Sequence, residues 1–125
     1  NPRMPEQLIK AHAEAIRRFY DDRSFAVKAY QAYDKQTNAD VERLYDGYAK
    51  ANVLERVPFV LAPALQAVMD QQSDAKLLAQ MKAFDFHTVI DNSVVARLVK
   101  EGFFQKLFGP GVKAEEDRKS KLAFR

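Results

Sequence analysis

The sequence predicts an all-α chain of about five helices in a bundle-like arrangement. Three observations predict it. Apolar residues recur at the helical period in nearly every segment. Runs with strand character are few. Gly 4 and Pro 5 are low counts for 125 residues, so breakers are scarce and long loops are few. The length is one domain's worth, and a chain of this size buries roughly two thirds of its unfolded surface.

The first helix is expected over Pro5 to about Asp21. Proline suits the first helical position, where its missing N–H costs nothing. Glu6 follows in the first turn, where the helix dipole favours an acid. Leu8, Ile9, His12, Ile16, Phe19 and Tyr20 make its apolar stripe, with Arg17 and Arg18 outside. Asp21-Asp22 breaks the pattern and offers a cap. A second helix is expected over about Ser24 to Lys35, with Ala26, Val27, Tyr30 and Tyr33 along one side. Thr37 and Asn38 are good caps for a third, about Ala39–Ala51, and Thr37 and Asp40 stand at capping-box spacing. Val41, Leu44, Tyr45 and Tyr48 form its stripe. Gly47 sits inside it at a cost of about 1 kcal/mol relative to Ala, which close packing against a neighbour would explain.

Val53–Val60 reads as extended, because Pro58 pushes Val57 out of the helical region. A fourth helix is expected over about Ala62 to Gln72, with Leu61, Leu65, Val68 and Met69 inward. Residues 73–86 are ambiguous: Leu77, Leu78 and Met81 suggest a helical turn, whereas Phe84, Phe86 and Val89 look extended. A fifth helix begins near Asp91 or Asn92 and turns Val94, Val95, Leu98 and Val99 inward. Gly102 is a natural left-handed stop. Phe103, Phe104, Leu107 and Phe108 give a short apolar piece that Gly109-Pro110-Gly111 ends. Two regions follow: a helical segment over residues 1–108, and a charged tail over 109–125 that is flexible or loosely helical.

Composition excludes several functions. Cys 0 removes disulfides, thiolate metal sites and a cysteine nucleophile, without choosing a compartment. Lys+Arg 20 against Asp+Glu 17 leaves a net charge of +3, a small imbalance and not a nucleic-acid signature. The longest apolar run, about Val57–Leu65, contains two prolines and is far short of the ~20 residues that span a bilayer. The chain starts at Asn1 without a signal-peptide pattern.

The chemistry candidates are sparse. His12 falls on the inner stripe of the first helix and reads as a buried or half-buried side chain. His87 lies between Phe86 and Thr88 in an extended stretch and reads the same way, as a buried or half-buried hydrogen-bonded side chain. Neither has a second ligand at metal spacing. Asp21-Asp22 reads as a cap, and Glu115-Glu116-Asp117 as part of a solvated tail without calcium-loop spacing. Asp85 and Asp91 are a weak carboxylate pair for acid–base work. Tyr20, Tyr30, Tyr33, Tyr45 and Tyr48 recur at helical spacing, as packing residues rather than an aromatic ligand box. Arg17-Arg18 and Lys119–Lys121 are too mixed with acids to form a nucleic-acid groove. The residues therefore designate no catalytic group, no metal site and no cofactor, and leave ligand contacts unassigned.

Three stretches, in order, carry a resemblance. The first is Asn1-Pro2 followed by Leu8-Ile9-Lys10-Ala11-His12-Ala13-Glu14-Ala15-Ile16. The second is Asp40-Val41-Glu42-Arg43-Leu44-Tyr45-Asp46-Gly47-Tyr48, then Val53-Leu54-Glu55-Arg56-Val57-Pro58. The third is Leu65-Gln66-Ala67-Val68-Met69-Asp70, then Phe86 to Leu98 through Val89-Ile90-Asp91-Asn92-Ser93, closing with Glu101-Gly102-Phe103. Together they resemble the C-terminal portion of ABC-transporter solute-binding proteins of the nitrate, sulfonate, taurine and thiamin-precursor type.

The resemblance implies a longer parent with two α/β lobes around a ligand cleft, the type II periplasmic-binding-protein fold. The parent would collect a small molecule outside the inner membrane, in the periplasm or lipid-anchored, and deliver it to a membrane permease without catalysis. Ligand-contacting residues in that family lie mostly upstream of this segment, so none transfers. Tyr20 and the Asp91-Asn92 turn are positions near the cleft or hinge in that picture, with no motif to carry a role onto them. The same superfamily implies one rival, an enzyme resembling thiamin-pyrimidine synthases, whose cysteine-rich iron motif would lie upstream of these residues, so its absence from them decides little. The other rival is a stand-alone helical oligomerisation module. Helices with wide apolar faces imply a homo-oligomer for the isolated chain, and the short apolar runs imply no direct membrane span.

Overall fold

Local sequence sets most of the helix ends. The computed structural model describes residues 3–125, so the Asn1-Pro2 opening lies outside the described residues. Helix α1 spans Met4–Asp21, with proline in its first turn and Glu6 after it. Helix α2, Arg23–Tyr33, is capped by the Asp22 side chain, which accepts from the Phe25 N–H at 2.9 Å. Helix α3, Asn38–Ala51, is capped by Thr37, whose Oγ1 accepts from the Asp40 N–H at 3.3 Å. That is the box its spacing predicts. Asn52 closes α3 in the left-handed conformation, at φ 54°.

The second half holds five helices where two were expected. After α4 (Ala62–Asp70) come α5 (Ala75–Ala83), a 3-10 turn at Phe86–Thr88, α6 (Ser93–Lys100) and α7 (Phe103–Phe108). A second 3-10 turn, Pro110–Val112, leads into α8 (Lys113–Leu122). The described residues thus hold eight α-helices and no strand, which is the all-α class. The ambiguous stretch became α5 because Asp74 caps it, accepting from the N–H groups of Lys76 at 2.8 Å and Leu77 at 3.0 Å. Gly102, at φ 71°, is the expected left-handed stop between α6 and α7.

Two apolar clusters organise the bundle. The larger holds Ala13, Val57, Phe59, Val95, Leu98, Phe104 and Val112. It joins the middle of α1, the segment after α3, α6, α7 and the second 3-10 turn. That segment is bent at Arg56 and Val57 instead of extended, since the Phe59 N–H turns back to the Val57 carbonyl at 3.0 Å. The smaller holds Ala26, Val27, Val41 and Tyr45, with Phe19 packed against it. Helix α1 reaches both. Fully burying a side chain such as Leu98 or Phe104 is worth about 2 to 3 kcal/mol relative to leaving it in water.

Several inward assignments need correction. On α1, His12 is exposed and Leu8 is 68% exposed, whereas Ala13 is buried. The stripe is rotated because α6 and α7 pack on α1 where Ile9 and Ala13 face them. Tyr33 and Tyr48 are also exposed. Helix α4 buries no residue, and Val68 is 58% exposed. Helices α4 and α5 pack on each other and project from the two cores. Gly47 meets nothing where a Cβ would stand, so close packing does not explain it.

The charged tail is also corrected. It forms α8 and packs, with Val112, Glu116 and Lys119 buried. Charge misled the reading because Lys119 carries its ammonium onto partners inside the fold. Its Nζ lies 2.8 Å from Glu55 Oε2, the Val57 carbonyl oxygen and Glu115 Oε1. Beyond α8 the chain pairs with the segment before α4: Ala123 bridges Leu61, and the Phe124 N–H donates to the Val60 carbonyl at 2.9 Å.

Candidate functional site

The polar groups singled out in the sequence do not converge. Asp21 pairs with Arg17 at 3.1 Å while Asp22 caps α2. Asp91 accepts from the Ser93 N–H at 2.8 Å, and Asp85 faces His87, so the two carboxylates are separately engaged. Ser93 holds Asp91 below the usual carboxylate range. Of the acidic cluster only Asp117 is solvated: Glu115 is half-buried against Lys119, and Glu116 is buried, its Oε2 accepting from Gln105 at 2.8 Å. The other Glu116 oxygen is buried without a partner. Among the described residues no three His, Asp or Glu side chains gather as a metal site.

Of the tyrosines, Tyr20 and Tyr45 act as packing and anchoring groups, whereas Tyr33 is 90% exposed and does not pack as expected. Tyr20 Oη accepts from the Leu54 N–H at 2.9 Å and donates to the Leu54 carbonyl at 3.0 Å. Tyr45 donates to the Phe19 carbonyl at 2.8 Å. The space between Phe19, Tyr30, Tyr45 and Tyr48 is a cavity of about 40 Å³. That is room for about one water and not for an aromatic ligand.

A shallow basic depression lies across the Gly109–Gly111 turn, where Arg56, Lys106 and Arg118 line two adjoining hollows. Arg56 stacks 4.4 Å from the Tyr20 ring centre, and its Nη1 donates to Asn52 Oδ1 at 2.6 Å. Asp21 and Glu115 share the same walls. Lys106 and Arg118 are exposed, so solvent screens the field they project.

The most fully connected polar cluster gathers around His87 and Asn92. Asn92, just before α6, accepts from the Val60 N–H at 2.9 Å. Its amide donates to the carbonyls of Val60 and Phe124 at 3.0 Å each. His87 Nδ1 stands 2.9 Å from Asp85 Oδ1, and Nε2 stands 2.8 Å from the Arg125 main-chain oxygen. Its ring leans on Phe124, with centroids 4.8 Å apart. Asp85 also accepts from the His87 N–H at 3.1 Å, which starts the 3-10 turn. A His–Asp pair of this kind serves general-base chemistry only when the far nitrogen is open to a proton-bearing substrate. Here that nitrogen is taken by Arg125. The neighbouring Thr88 hydroxyl donates to the Asp85 carbonyl at 2.7 Å and is not aimed at the ring.

His87 is hydrogen-bonded as expected, but it is exposed and lies in a 3-10 turn instead of an extended stretch, because Asp85 accepts its main-chain N–H; His12 is exposed as well. Sequence reasoning missed Asn92 as a clamp, because its place before α6 suggested only a cap. It missed Lys119 because spacing shows the Glu115–Lys119 pair but not its depth. No helix is long and apolar enough to cross a membrane among the described residues. No family model, curated protein or solved structure matches the chain.

Proposed function

We propose that this chain is the C-terminal helical segment of the solute-binding component of an ABC importer. The observation that carries this reading is where the three resembling stretches fall in the fold. Ala13 from the first, Val57 from the second, and Val95 and Leu98 from the third are buried in one core. Residues far apart in sequence thus serve one packing unit, as expected of a segment inherited whole. A second support is the α4–α5 pair, which buries nothing and exposes Val68, Leu77 and the following Phe84. Such apolar surface fits burial against further protein, here the lobes of the parent.

On this reading the parent binds nitrate, a sulfonate, taurine or a thiamin-pyrimidine precursor. It works outside the inner membrane, in the periplasm or lipid-anchored, and hands its cargo to a permease. This segment braces the lobes and does not form the cleft. The test is an immunoblot of the source cell's periplasmic fraction with antibody raised against this chain. A species much heavier than 14.3 kDa is expected there, and it should gain thermal stability from one of those solutes. A cytosolic species of 14.3 kDa would overturn the proposal. Calorimetry of the isolated chain against the same solutes is expected to show no tight binding.

A further inference from the structure

We infer that the C-terminal residues Ala123 to Arg125 form a proton-controlled latch, closed when His87 is protonated and released when it is neutral. The argument is one of donors and acceptors. Both ring nitrogens of His87 face groups that only accept: Asp85 Oδ1 at 2.9 Å and the Arg125 main-chain oxygen at 2.8 Å. Asp85 is committed as an acceptor, since the same oxygen also takes the His87 N–H at 3.1 Å. An imidazolium donates from both nitrogens, whereas a neutral imidazole donates from one. Loss of the proton leaves a lone pair facing an oxygen lone pair on one side. One of the two hydrogen bonds must break.

The weaker side is the tail. Asp85 is tied to His87 through the ring and through the main chain of its own turn. Arg125 is tied to His87 only by the ring. Upstream of that contact the tail is held by the Phe124 N–H to the Val60 carbonyl and by Asn92 Nδ2 to the Phe124 carbonyl. Phe124 also rests against the imidazole ring. Release would loosen Phe124 and uncover the main-chain edge at Val60 and Leu61, where Ala123 now bridges. Exposure of His87 lets protons from solvent reach it, so the latch follows ambient pH.

Two charged groups bond the ring: Asp85, and, in the 125-residue chain, the terminal carboxylate to which the Arg125 main-chain oxygen belongs. Asp85 lies on its own turn. The Arg125 guanidinium turns away to the Ser120 carbonyl at 3.5 Å. At the start of α6, Asp91 is engaged by the Ser93 N–H and Asn92 is neutral. The bond to Asp85, then that to the Arg125 oxygen, holds His87 above its ordinary value near 6.5. A raised folded value means the stabilisation is complete below about 6.5 and is lost as pH rises through the raised value. Asp85 is held below its ordinary value, first by the same ring, so its contribution is present above about 3.9 and fades only as pH falls through the lowered value. The latch is therefore closed in mild acid and opens toward alkaline pH.

The test is NMR on the full 125-residue chain, with His87 titrated through its ring signals. Amide-exchange protection of Phe124, corrected for intrinsic rate, is followed over the same pH range. Protection is expected to fall roughly five- to tenfold as the ring deprotonates, the worth of about one hydrogen bond, with the same midpoint. His87→Gln keeps an uncharged amide that can donate but cannot titrate, so its Phe124 protection should be flat with pH. Asp85→Asn should move the ring's midpoint, and the latch with it, to lower pH. Wild-type protection that stays level while His87 titrates would overturn the latch. So would a His87→Gln variant that keeps the wild-type pH response.

Discussion

Lys119 and Glu116 sit three residues apart on one short helix, and burial treats them differently. Lys119 is 1% exposed, but its ammonium meets two carboxylates and a carbonyl oxygen. A buried charge with that many partners is tolerable, and removing it strands them. Lys119→Ala is expected to cost about 2 to 3 kcal/mol by urea unfolding, below the range for a fully buried pair because Glu55 remains 59% exposed. Glu116 has one oxygen bonded to Gln105 and one with no partner. Glu116→Gln keeps an acceptor for Gln105 while removing the need to bury a carboxylate. It is expected to raise the melting midpoint by roughly 2 to 4 °C, and a fall would mean that an unseen partner serves that oxygen.

At the scale of elements, α1 is tied to α6 by one carboxylate. Glu6 accepts from Lys10 at 2.5 Å and from Arg97 at 3.0 Å, and these bonds hold it below the usual carboxylate range, Lys10 first. A lowered folded value gives stability that is present above the ordinary value and lost as pH falls through the lowered one. Glu6→Gln should therefore narrow the gap between Tm at neutral pH and Tm near pH 3, a comparison calorimetry makes directly. Helix α5 shows the opposite situation. It has nine residues, buries none, and starts at an Asp74 cap. Isolated helices of that length are marginal in water. Asp74→Ala should cost about 1 kcal/mol locally and unfold α5, read as faster amide exchange over Ala75–Ala83 with α1 and α6 unchanged. The same contrast explains what the sequence made legible. Thr37, Asp22 and Gly102 announce helix ends by local chemistry, and the structure uses all three that way. The inward face of α4 was not legible, because periodicity says that Val68 is apolar and not what stands opposite it.

Over the whole molecule, two cores share α1 while α4 and α5 project with Val68, Leu77 and the neighbouring Phe84 in water. Exposed apolar side chains grouped on one projecting pair favour association. The isolated chain should self-associate with rising concentration in light scattering after size exclusion. Val68→Asp with Leu77→Lys should suppress it, and a clean monomer of the unmodified chain at high concentration would count against the exposed pair as an adhesive surface. The fold also closes on itself through its tail: α8 returns to the Glu55–Val57 segment, and Phe124 pairs with Val60. Nothing in the charged pattern of residues 113–125 announces that return.

The sequence by itself determined the helical class, the caps and stops, the break in helix around Pro58, and the apolar face of α6. Each depends on interactions within a few residues, which the order of side chains specifies directly. Only the tertiary structure decided that His12 faces water, that Lys119 and Glu116 are buried, and that Asn92 and His87 clamp the tail. Those outcomes depend on groups 30 or more residues away, such as Val60 for Asn92, Arg125 for His87 and Val57 for Lys119. A side chain's environment is set by whatever packs against it, and for these residues that neighbour comes from a distant part of the chain.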